Sequence, residues 1–513
     1  MELLRLLKGQ ILWGPTMIVM LVGTGLYLTI RLRFIQVRYL MHSVRCISGR
    51  YDDPAETGDI SHFQALAAAL SATIGTGNIV GVATAIALGG PGAVFWMWVT
   101  ALVGMATKYT SCSLALRYRV IHEDGSASGG PMYYLSQGLG LRWLAVLFAL
   151  LAGIASFGIG CAVQSNSVAD ALVGLLPGGL QGPRLGASLP VIGGTLALKP
   201  LIGLLLAFLA GIVIIGGIRR IARVAAKLVP FMCVIYMAGA LIVLVRFAPE
   251  IPSAFAQIFR YAFTPLAIGG GFVGVVLQQT VRMGVARGVF SNESGLGSAP
   301  MAHAAAKTKE MAREGFVAML GPFIDTIIVC TMTALTIIVT GVWQVRGENG
   351  DLLYGPGGKG VPITHNGETI VGNVAADGLP FLDASEKPYL VPIGATLTQQ
   401  AFEHGIGATG RWIVALGIVL FAYSTMISWS YYGDRCWEYL LGARSETVPF
   451  RFLPVYRHRN GERPRSRVER LGQFKRPDGH PEPDRLARAL RRRRPRDARL
   501  HCPNESKRGL VGP

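Results

Sequence analysis

Nine long apolar segments dominate the sequence, and they constrain its fold more than any other feature. Each approaches the roughly 20 residues that an α-helix needs to cross the hydrocarbon core of a membrane. The segments are residues 11–30, 65–88, 93–116, 144–162, 201–218, 229–245, 268–289, 317–342 and 413–432. Because a chain in lipid must satisfy its backbone polar groups internally, we predict an all-α integral membrane protein. A shorter apolar stretch, 251–261, is predicted to lie at the membrane interface or to re-enter.

The charge of the chain is concentrated at its carboxyl end. Charged residues make up only 15% of the sequence, against about 25% in soluble domains. The formal net charge is +19, and residues 444–513 hold 20 Lys and Arg against 8 Asp and Glu, a net +12. A nucleic-acid partner is therefore not expected, because the charge is not spread over a folded face. We predict a transmembrane domain over residues 1–443 and a disordered Arg/Pro-rich cytoplasmic tail over 444–513.

The distribution of Lys and Arg between the short connections predicts the orientation in the membrane. If the amino terminus lies outside, the inner connections hold 17 Lys and Arg and the outer ones hold 9. We therefore predict a multi-pass protein of the cell inner membrane with its amino terminus outside and its tail in the cytoplasm. The lipid bilayer is the partner that this implies, and the sequence carries no signal for the oligomeric state.

The second apolar segment contains the string SATIGTGNIVG at residues 71–81, which is unusual inside a membrane helix. A glycine costs about 1 kcal/mol against alanine in a helix interior, and Gly75, Gly77 and Gly81 all lie here. The string predicts either a helix unwound around a ligand or close packing of small residues. A second glycine run, at residues 269–271 and 274, favours the first interpretation, because paired interrupted helices are typical of transporters.

Several longer strings are more specific than either glycine run. They are GGPGAVFWMWVTALVG at residues 89–104, SGGPMYYL at 128–135, RGVFSNESGLGSAPMAHAAAKT at 287–308 and AYSTMISWSYYGDRCWEYLLG at 422–442. Together with residues 71–81 they resemble the alanine/glycine:cation symporter family, also called the sodium:alanine symporters. The resemblance covers about residues 10 to 445 in one order.

That resemblance implies a fold and an activity. The fold is the inverted five-helix repeat of the neurotransmitter:sodium symporters with one extra amino-terminal helix, in which the second and seventh segments are the discontinuous helices. The activity is secondary active symport of a small neutral amino acid, alanine or glycine, by alternating access. Sodium is the expected coupling ion, with a proton as the alternative, and neither a cofactor nor an enzymatic activity is expected.

The resemblance also implies a substrate site at the first interrupted helix. Residues 75–78, Gly-Thr-Gly-Asn, match the GxGN element of the fold. By that match, the N–H groups near Gly75 and Gly77, with Thr76 and Asn78 beside them, hold the substrate carboxylate.

The resemblance further implies a sodium site between this helix and the ninth segment. Its oxygens are expected from the carbonyls of Ser71, Ile74 and Phe421 and the hydroxyls of Ser424 and Thr425. A second sodium, if the chain binds one, is expected at the Thr73 carbonyl and the Asn78 side chain. Neutral oxygens are suitable ligands, because sodium is a hard cation.

Several polar residues inside or beside the apolar segments are candidates from their position alone. The carboxylate of Asp325 costs free energy inside an apolar segment. It is therefore expected to contact a cation or an amine, to carry a proton, or to form a structural hydrogen bond to a neighbouring helix. Gln164 either reaches the substrate or caps a helix end, and Trp429 either lines the substrate pocket or belongs to an interfacial aromatic belt. Lys108 is expected to snorkel or to pair with a carboxylate. Residues 292–294, Asn-Glu-Ser, are expected to be solvated or to cap a helix rather than to form a gate.

Two alternatives to an active transporter remain open, and both concern the tail. One is a transporter-like sensor that signals through its basic tail. The other is a truncated or frameshifted inactive transporter, because the resembled family continues after a string like residues 437–442 with two further hydrophobic helices. Here the chain reads RHRNGERPRSRVERLG from residue 457, so the last two helices are expected to be missing.

Overall fold

The structure is a computed structural model that describes most of the chain up to residue 442. The described residues are 15–53, 56–123, 125–173, 175, 188–191, 194–263, 273–346 and 394–442, together with short strands between 352 and 389. The chain divides into two units, Met1–Arg451 and Phe452–Pro513. The second unit lies outside the described residues, as do the predicted tail at 444–513 and the glycines at 269–271 of the second glycine run.

The described residues are predominantly helical. The helices of the first half are α1 Pro15–Arg31, α2 Ile35–Arg38, α3 Leu40–Ile47, α4 His62–Thr73, α5 Gly77–Gly89, α6 Gly92–Arg117, α7 Pro131–Tyr133 and α8 Arg142–Leu172. Those of the second half are α9 Leu198–Ile214, α10 Gly217–Arg246, α11 Ile251–Phe263, α12 Val273–Asn292, α13 Ala299–His303, α14 Met311–Val339, α15 Ala395–Ile406 and α16 Ala408–Leu441.

The strands lie in the connections and form small antiparallel hairpins. They pair as β1 Val120–Ile121 with β2 Ala127–Ser128, β3 Ser188–Val191 with β4 Gly194–Ala197, β5 Val345–Arg346 with β6 Leu352–Tyr354, β7 Pro362–His365 with β8 Glu368–Val371, and β9 Phe381–Leu382 with β10 Pro388–Tyr389. None of these pairs extends into a larger sheet among the described residues. The helices therefore carry the fold.

Each of the nine predicted apolar segments overlaps a helix in the described part of the chain, the second segment overlaps both α4 and α5, and the short stretch 251–261 lies within α11. By length and composition, α8, α10, α14 and α16 can each cross a membrane, and the bent pair of α4 and α5 makes a fifth candidate. The apolar helices α1 and α9 are shorter. The structure thus supports a multi-pass membrane protein, whereas the number of nine crossings and the orientation stay predictions.

Two helices organise the packing. Helix α6 packs against α1, α11, α12 and α14, while α16 packs against α4, α8, α10 and α15. Helix α4 lies between α10, α14 and α16, so most of its residues are buried. In contrast, α8 and α9 expose large apolar side chains such as Trp143, Phe157, Leu204 and Phe208. Exposed apolar faces of this extent suit contact with lipid.

The first interrupted helix lies where the glycines predict it. Helix α4 begins with a capping box formed by Ser61 and Gln64 and ends at Thr73. After a break at residues 74–76, α5 begins with a π-helical turn at Gly77–Gly81. The axes of α4 and α5 are bent by 52°. Residues 74–81 therefore form an irregular backbone in the middle of the bundle, as one of the two interpretations predicts.

The second interruption is predicted at residues 269–271, which lie outside the described residues, and it stays a prediction. Gly274 lies inside α12, which runs without a break to Asn292. The backbone turns at the other end of α12, where Glu293, Gly295 and Gly297 have φ of 54°, 91° and 82°. Two glycines reduce the strain of this turn, because only glycine adopts positive φ without a steric penalty.

Candidate functional site

Four neutral oxygens converge where the end of α4 meets the middle of α16. The Ser424 hydroxyl lies 2.8 Å from the Phe421 carbonyl oxygen, 3.2 Å from that of Ser71 and 3.5 Å from that of Ile74. The Ser71 hydroxyl also donates to the Ser424 carbonyl at 2.7 Å. All four residues are buried. The structure therefore brings together four of the residues predicted for the sodium site, from two parts of the chain.

Thr425 joins this oxygen cluster to the first helix break. Its hydroxyl donates to the Phe421 carbonyl at 3.0 Å. A Cβ atom added to Gly75 would lie 2.5 Å from the same hydroxyl oxygen, which is closer than real Cβ atoms approach their neighbours. Glycine at position 75 thus lets the backbone of the break approach α16 closely.

Two backbone N–H groups of the break are bonded to side-chain amides. The Gly75 N–H donates to Asn78 Oδ1 at 3.0 Å, and the Thr76 N–H donates to Gln164 Oε1 at 3.4 Å. Gln164 comes from α8, just after a π-helical turn at Ser156–Ala162, and is buried. These amide oxygens accept hydrogen bonds at the positions where a ligand carboxylate is predicted to accept them.

Asp325 lies at the centre of a second buried cluster next to Asn78. Its Oδ1 accepts a hydrogen bond from Asn78 Nδ2 at 2.7 Å, and its Oδ2 accepts from the hydroxyls of Ser291 at 2.8 Å and Thr326 at 2.7 Å. The cluster joins α5, the end of α12 and a π-helical turn of α14 at Phe323–Cys330. Such π-helical turns occur frequently at functional sites.

Thr73 stays a predicted ligand of a second sodium through its carbonyl oxygen. It is buried, but its hydroxyl donates to the Leu70 carbonyl of its own helix at 3.3 Å. Asp325 contacts Asn78, the side chain at which a second cation is predicted.

The second helix break contributes a buried carboxylate. Glu293 Oε1 accepts a hydrogen bond from Trp429 Nε1 at 2.8 Å, and Oε2 accepts from the Ser298 hydroxyl at 2.5 Å. All three residues of the Asn-Glu-Ser string are buried, so the expectation that residues 292–294 are solvated is wrong, whereas their position at the end of α12 fits the alternative that they cap a helix. An acidic residue followed by two closely spaced glycines at the end of an apolar segment is the sequence signal that could have indicated this turn.

The two breaks are in contact. A Cβ added to Gly77 would lie 3.3 Å from Ser291 Cα. Trp429 lies against the π-helical turn of α8, because a Cβ added to Gly160 would lie 2.5 Å from Trp429 Cβ. Gln164 thus contacts the break between α4 and α5, and Trp429 contacts the π-helical turn of α8 that precedes Gln164 and the turn at the end of α12.

Two further polar residues lie elsewhere than expected or outside the region. Lys108 is buried in α6, within electrostatic range of Glu293 and Asp325, and so does not snorkel. Asn166 is exposed and donates to Asp170 at 2.9 Å, which places it outside the site. Among the described residues no group of three or more His, Cys, Asp and Glu could hold a metal ion.

Comparison with known proteins agrees with this architecture. The family model described as the sodium:alanine symporter family matches residues 3–354 and 384–461. The sodium/alanine symporter AgcS of Methanococcus maripaludis is 43% identical over 441 residues, which cover 85% of this chain and 83% of that protein. Two proteins of Bacillus subtilis are also similar. The putative sodium/proton-dependent alanine carrier protein YrbD is 36% identical over 85% of this chain and 78% of its own length, and the probable sodium/glutamine symporter GlnT is 34% identical over 83% and 75%.

Proposed function

The chain belongs to the sodium:alanine symporter family, and on this premise we propose that it carries a small neutral amino acid, alanine or glycine, together with sodium by alternating access. The oxygen cluster of Ser71, Ile74, Phe421 and Ser424 carries this proposal. Its members come from α4 and α16, which are distant in sequence and adjacent in space. Sodium, which is transported rather than retained, would bind these neutral oxygens.

The substrate carboxylate is proposed to bind at the helix break beside the sodium site. The N–H groups of Gly75 and Thr76 provide donors, and the positive end of the α5 dipole favours an anion there. To bind, the carboxylate displaces the amide oxygen of Asn78 from the Gly75 N–H and that of Gln164 from the Thr76 N–H. A side chain on residue 75 would collide with Thr425. The contact between Gly75 and Thr425 is therefore a wall that the proposed carboxylate and sodium positions share.

The proposed preference for a small side chain has a steric basis. Gly160 packs directly against Trp429, and Trp429 is held by its hydrogen bond to Glu293. The wall of the region next to Gln164 is therefore fixed in position. A substrate with a short side chain fits beside such a wall, whereas a longer one requires the tryptophan to move.

Asp325 is proposed to hold the second cation if the chain couples to one. Its carboxylate already orients Asn78 through a 2.7 Å hydrogen bond, so an ion at this position would act directly on the GxGN turn. A proton is the alternative occupant, and the name of the similar Bacillus protein YrbD includes both ions. The sensor and the truncated-chain alternatives concern residues 444–513 and stay predictions.

Transport by the purified full chain in proteoliposomes tests the proposal. Labelled alanine is expected to accumulate under an inward sodium gradient and not under a potassium gradient of equal size. Ser424→Ala is expected to raise the half-saturating sodium concentration at least about tenfold, which corresponds to about 1.4 kcal/mol. Ser430→Ala is the matched control, because the Ser430 hydroxyl bonds only to Ile427 of the same helix among the described residues. Equal uptake under both gradients would contradict sodium symport.

A further inference from the structure

A buried cluster of three ionisable side chains lies apart from the site just described. Each carboxylate oxygen of Glu314 is hydrogen-bonded by the Nδ1 atom of a different histidine: Oε1 by His303 at 2.5 Å and Oε2 by His62. The three side chains are at most 1% exposed. His62 is the first residue of α4, His303 is the last residue of α13, and Glu314 lies in the first turn of α14. Glu314 therefore fastens the start of α4 to two other helices.

The backbone next to this cluster makes the same connection. The N–H groups of Asp59 and Ile60 donate to the Ala305 carbonyl at 2.8 and 3.2 Å, and the Lys307 N–H donates to the Ile60 carbonyl at 2.7 Å. The Arg119 guanidinium then spans both segments, because it donates to four carbonyl oxygens, those of Thr57, Ala304, Ala306 and Thr308. The segment before α4 is thus tied to the connection between α13 and α14.

The cluster carries an energetic cost while it is closed. Within the part of the chain that the structure describes, the Nε2 atoms of His62 and His303 are buried and lie beyond hydrogen-bond distance of any protein acceptor, and the group nearest to His62 Nε2 among its ion pairs is the Asp52 carboxylate at 3.8 Å. A buried polar atom without a partner costs about 1–3 kcal/mol. Water would satisfy both atoms if this end of the bundle opened. Closure of the cluster therefore gains the hydrogen bonds to Glu314 but leaves both Nε2 atoms without a hydrogen bond from the described protein groups.

The position of the cluster on α4 gives it a role in transport. Helix α4 contains no glycine and has a capping box at its first turn, so its 12 residues form a rod about 18 Å long. One end of the rod is His62, and the other end supplies the Ser71 carbonyl of the proposed sodium site. A rod held at His62 is restrained at the sodium site as well.

We propose that His62, His303 and Glu314 form a latch that positions α4 and is broken and remade in each transport cycle. This inference rests on the proposed alternating-access function, because such a transporter must close one end of its site before it opens the other. With the latch closed, the end of the bundle at which α4 begins is sealed. With the latch open, α4 is free to move about the break at residues 74–76.

Hydrogen–deuterium exchange of the full chain in lipid nanodiscs tests the latch directly. Glu314→Gln replaces the shared carboxylate by an amide, and His303→Gln leaves the pair of His62 and Glu314 intact. The amides of Ile60 and Lys307 are expected to exchange at least about tenfold faster in Glu314→Gln, and by a smaller factor in His303→Gln. Glu310→Gln is the control, because Glu310 lies outside the cluster, is largely exposed and pairs only with Arg313 among the described residues.

Transport kinetics distinguish a latch from a contact that only stabilises the fold, because such a contact would not change the sodium dependence of transport. Opening the latch lowers the population of the form that is sealed at this end, and a smaller binding-competent fraction raises the apparent dissociation constant in proportion. The predicted topology places the latch on the cytoplasmic face. The half-saturating external sodium concentration is therefore expected to rise at least about threefold in Glu314→Gln, with the maximal rate retained, and to be unchanged in Glu310→Gln.

The possible results separate the latch from the proposed function. If both latch variants fold and transport with wild-type exchange at Ile60 and Lys307 and wild-type sodium dependence, the latch is refuted and sodium symport stands. If the wild-type chain shows no sodium-driven uptake, the proposed function fails and the role of the latch in transport fails with it. Faster exchange together with a higher sodium requirement supports both.

Discussion

Substituting Gly75 by alanine tests the close approach of the first helix break to α16. The added Cβ would lie 2.5 Å from the Thr425 hydroxyl oxygen and 3.5 Å from Thr425 Cβ. To make room, the hydroxyl has to leave its hydrogen bond to the Phe421 carbonyl, which costs about 1 kcal/mol. Overpacking of a buried site adds about 2 kcal/mol. The total of about 3 kcal/mol corresponds to a loss of more than about 100-fold in affinity.

Uptake of alanine into proteoliposomes, measured over a range of sodium and alanine concentrations, gives the size of this loss. We expect Gly75→Ala to raise both half-saturating concentrations, because the clash lies between the proposed carboxylate and sodium positions. Gly81→Ala is the matched control in α5, since the nearest atom to its added Cβ is 4.0 Å away. It is expected to transport like the wild type.

A double variant identifies the cause. Thr425→Ala removes the hydroxyl that the new Cβ would strike, although it also weakens the proposed sodium site. In that background Gly75→Ala is expected to cost little more, so the two substitutions should be strongly non-additive. If Gly75→Ala reduces affinity by the same factor with and without the Thr425 hydroxyl, the contact with Thr425 is not the reason for the glycine, and the proposed shared wall is wrong.

Two further predictions concern the buried carboxylates of the site. Asp325→Asn places an amide where three donors converge on a carboxylate. Breaking such a buried network costs about 3–5 kcal/mol, so uptake of alanine is expected to fall more than about 100-fold. Near-normal uptake at saturating sodium would contradict this role of Asp325. Trp429→Phe removes the 2.8 Å hydrogen bond to Glu293 and is expected to lower stability by about 1–3 kcal/mol in a thermal unfolding assay in detergent. Trp412→Phe, at an exposed tryptophan of the same helix, is its control, and equal shifts in both variants would show that the bond to Glu293 adds no stability.

The helices and the first break could be predicted because their signals are local. Apolar segments of membrane-spanning length occur wherever a helix is buried in lipid, and each predicted segment overlaps a helix. Three glycines and an asparagine within residues 75–81 weaken the helix by intrinsic propensity alone. Neither signal depends on knowing which parts of the chain are neighbours in space.

The glycines after Glu293 are a local signal for the turn at the end of α12, but the partners of the buried carboxylates could not be predicted, because they depend on distant contacts. Glu293 adopts a positive φ in a turn where Trp429, 136 residues later in the chain, donates to its carboxylate. Asn78 and Asp325 are separated by 247 residues, and His62 and Glu314 by 252. The sequence shows that each of these side chains is polar in an apolar context. Only the packing of α4, α12, α14 and α16 shows which of them meet.

The positions of the latch and of the proposed sodium site suggest how one could act on the other. Both contact α4, at opposite ends of a rigid and capped helix, and the irregular backbone lies beyond Thr73. A movement at His62 is therefore transmitted along the helix and absorbed at residues 74–76, where the substrate carboxylate is proposed to bind. Sodium and substrate would replace hydrogen bonds that this backbone does not make within its own helix. Binding at the break and closure of the latch thus stabilise the same orientation of α4, which is the energetic condition for coupling two sites.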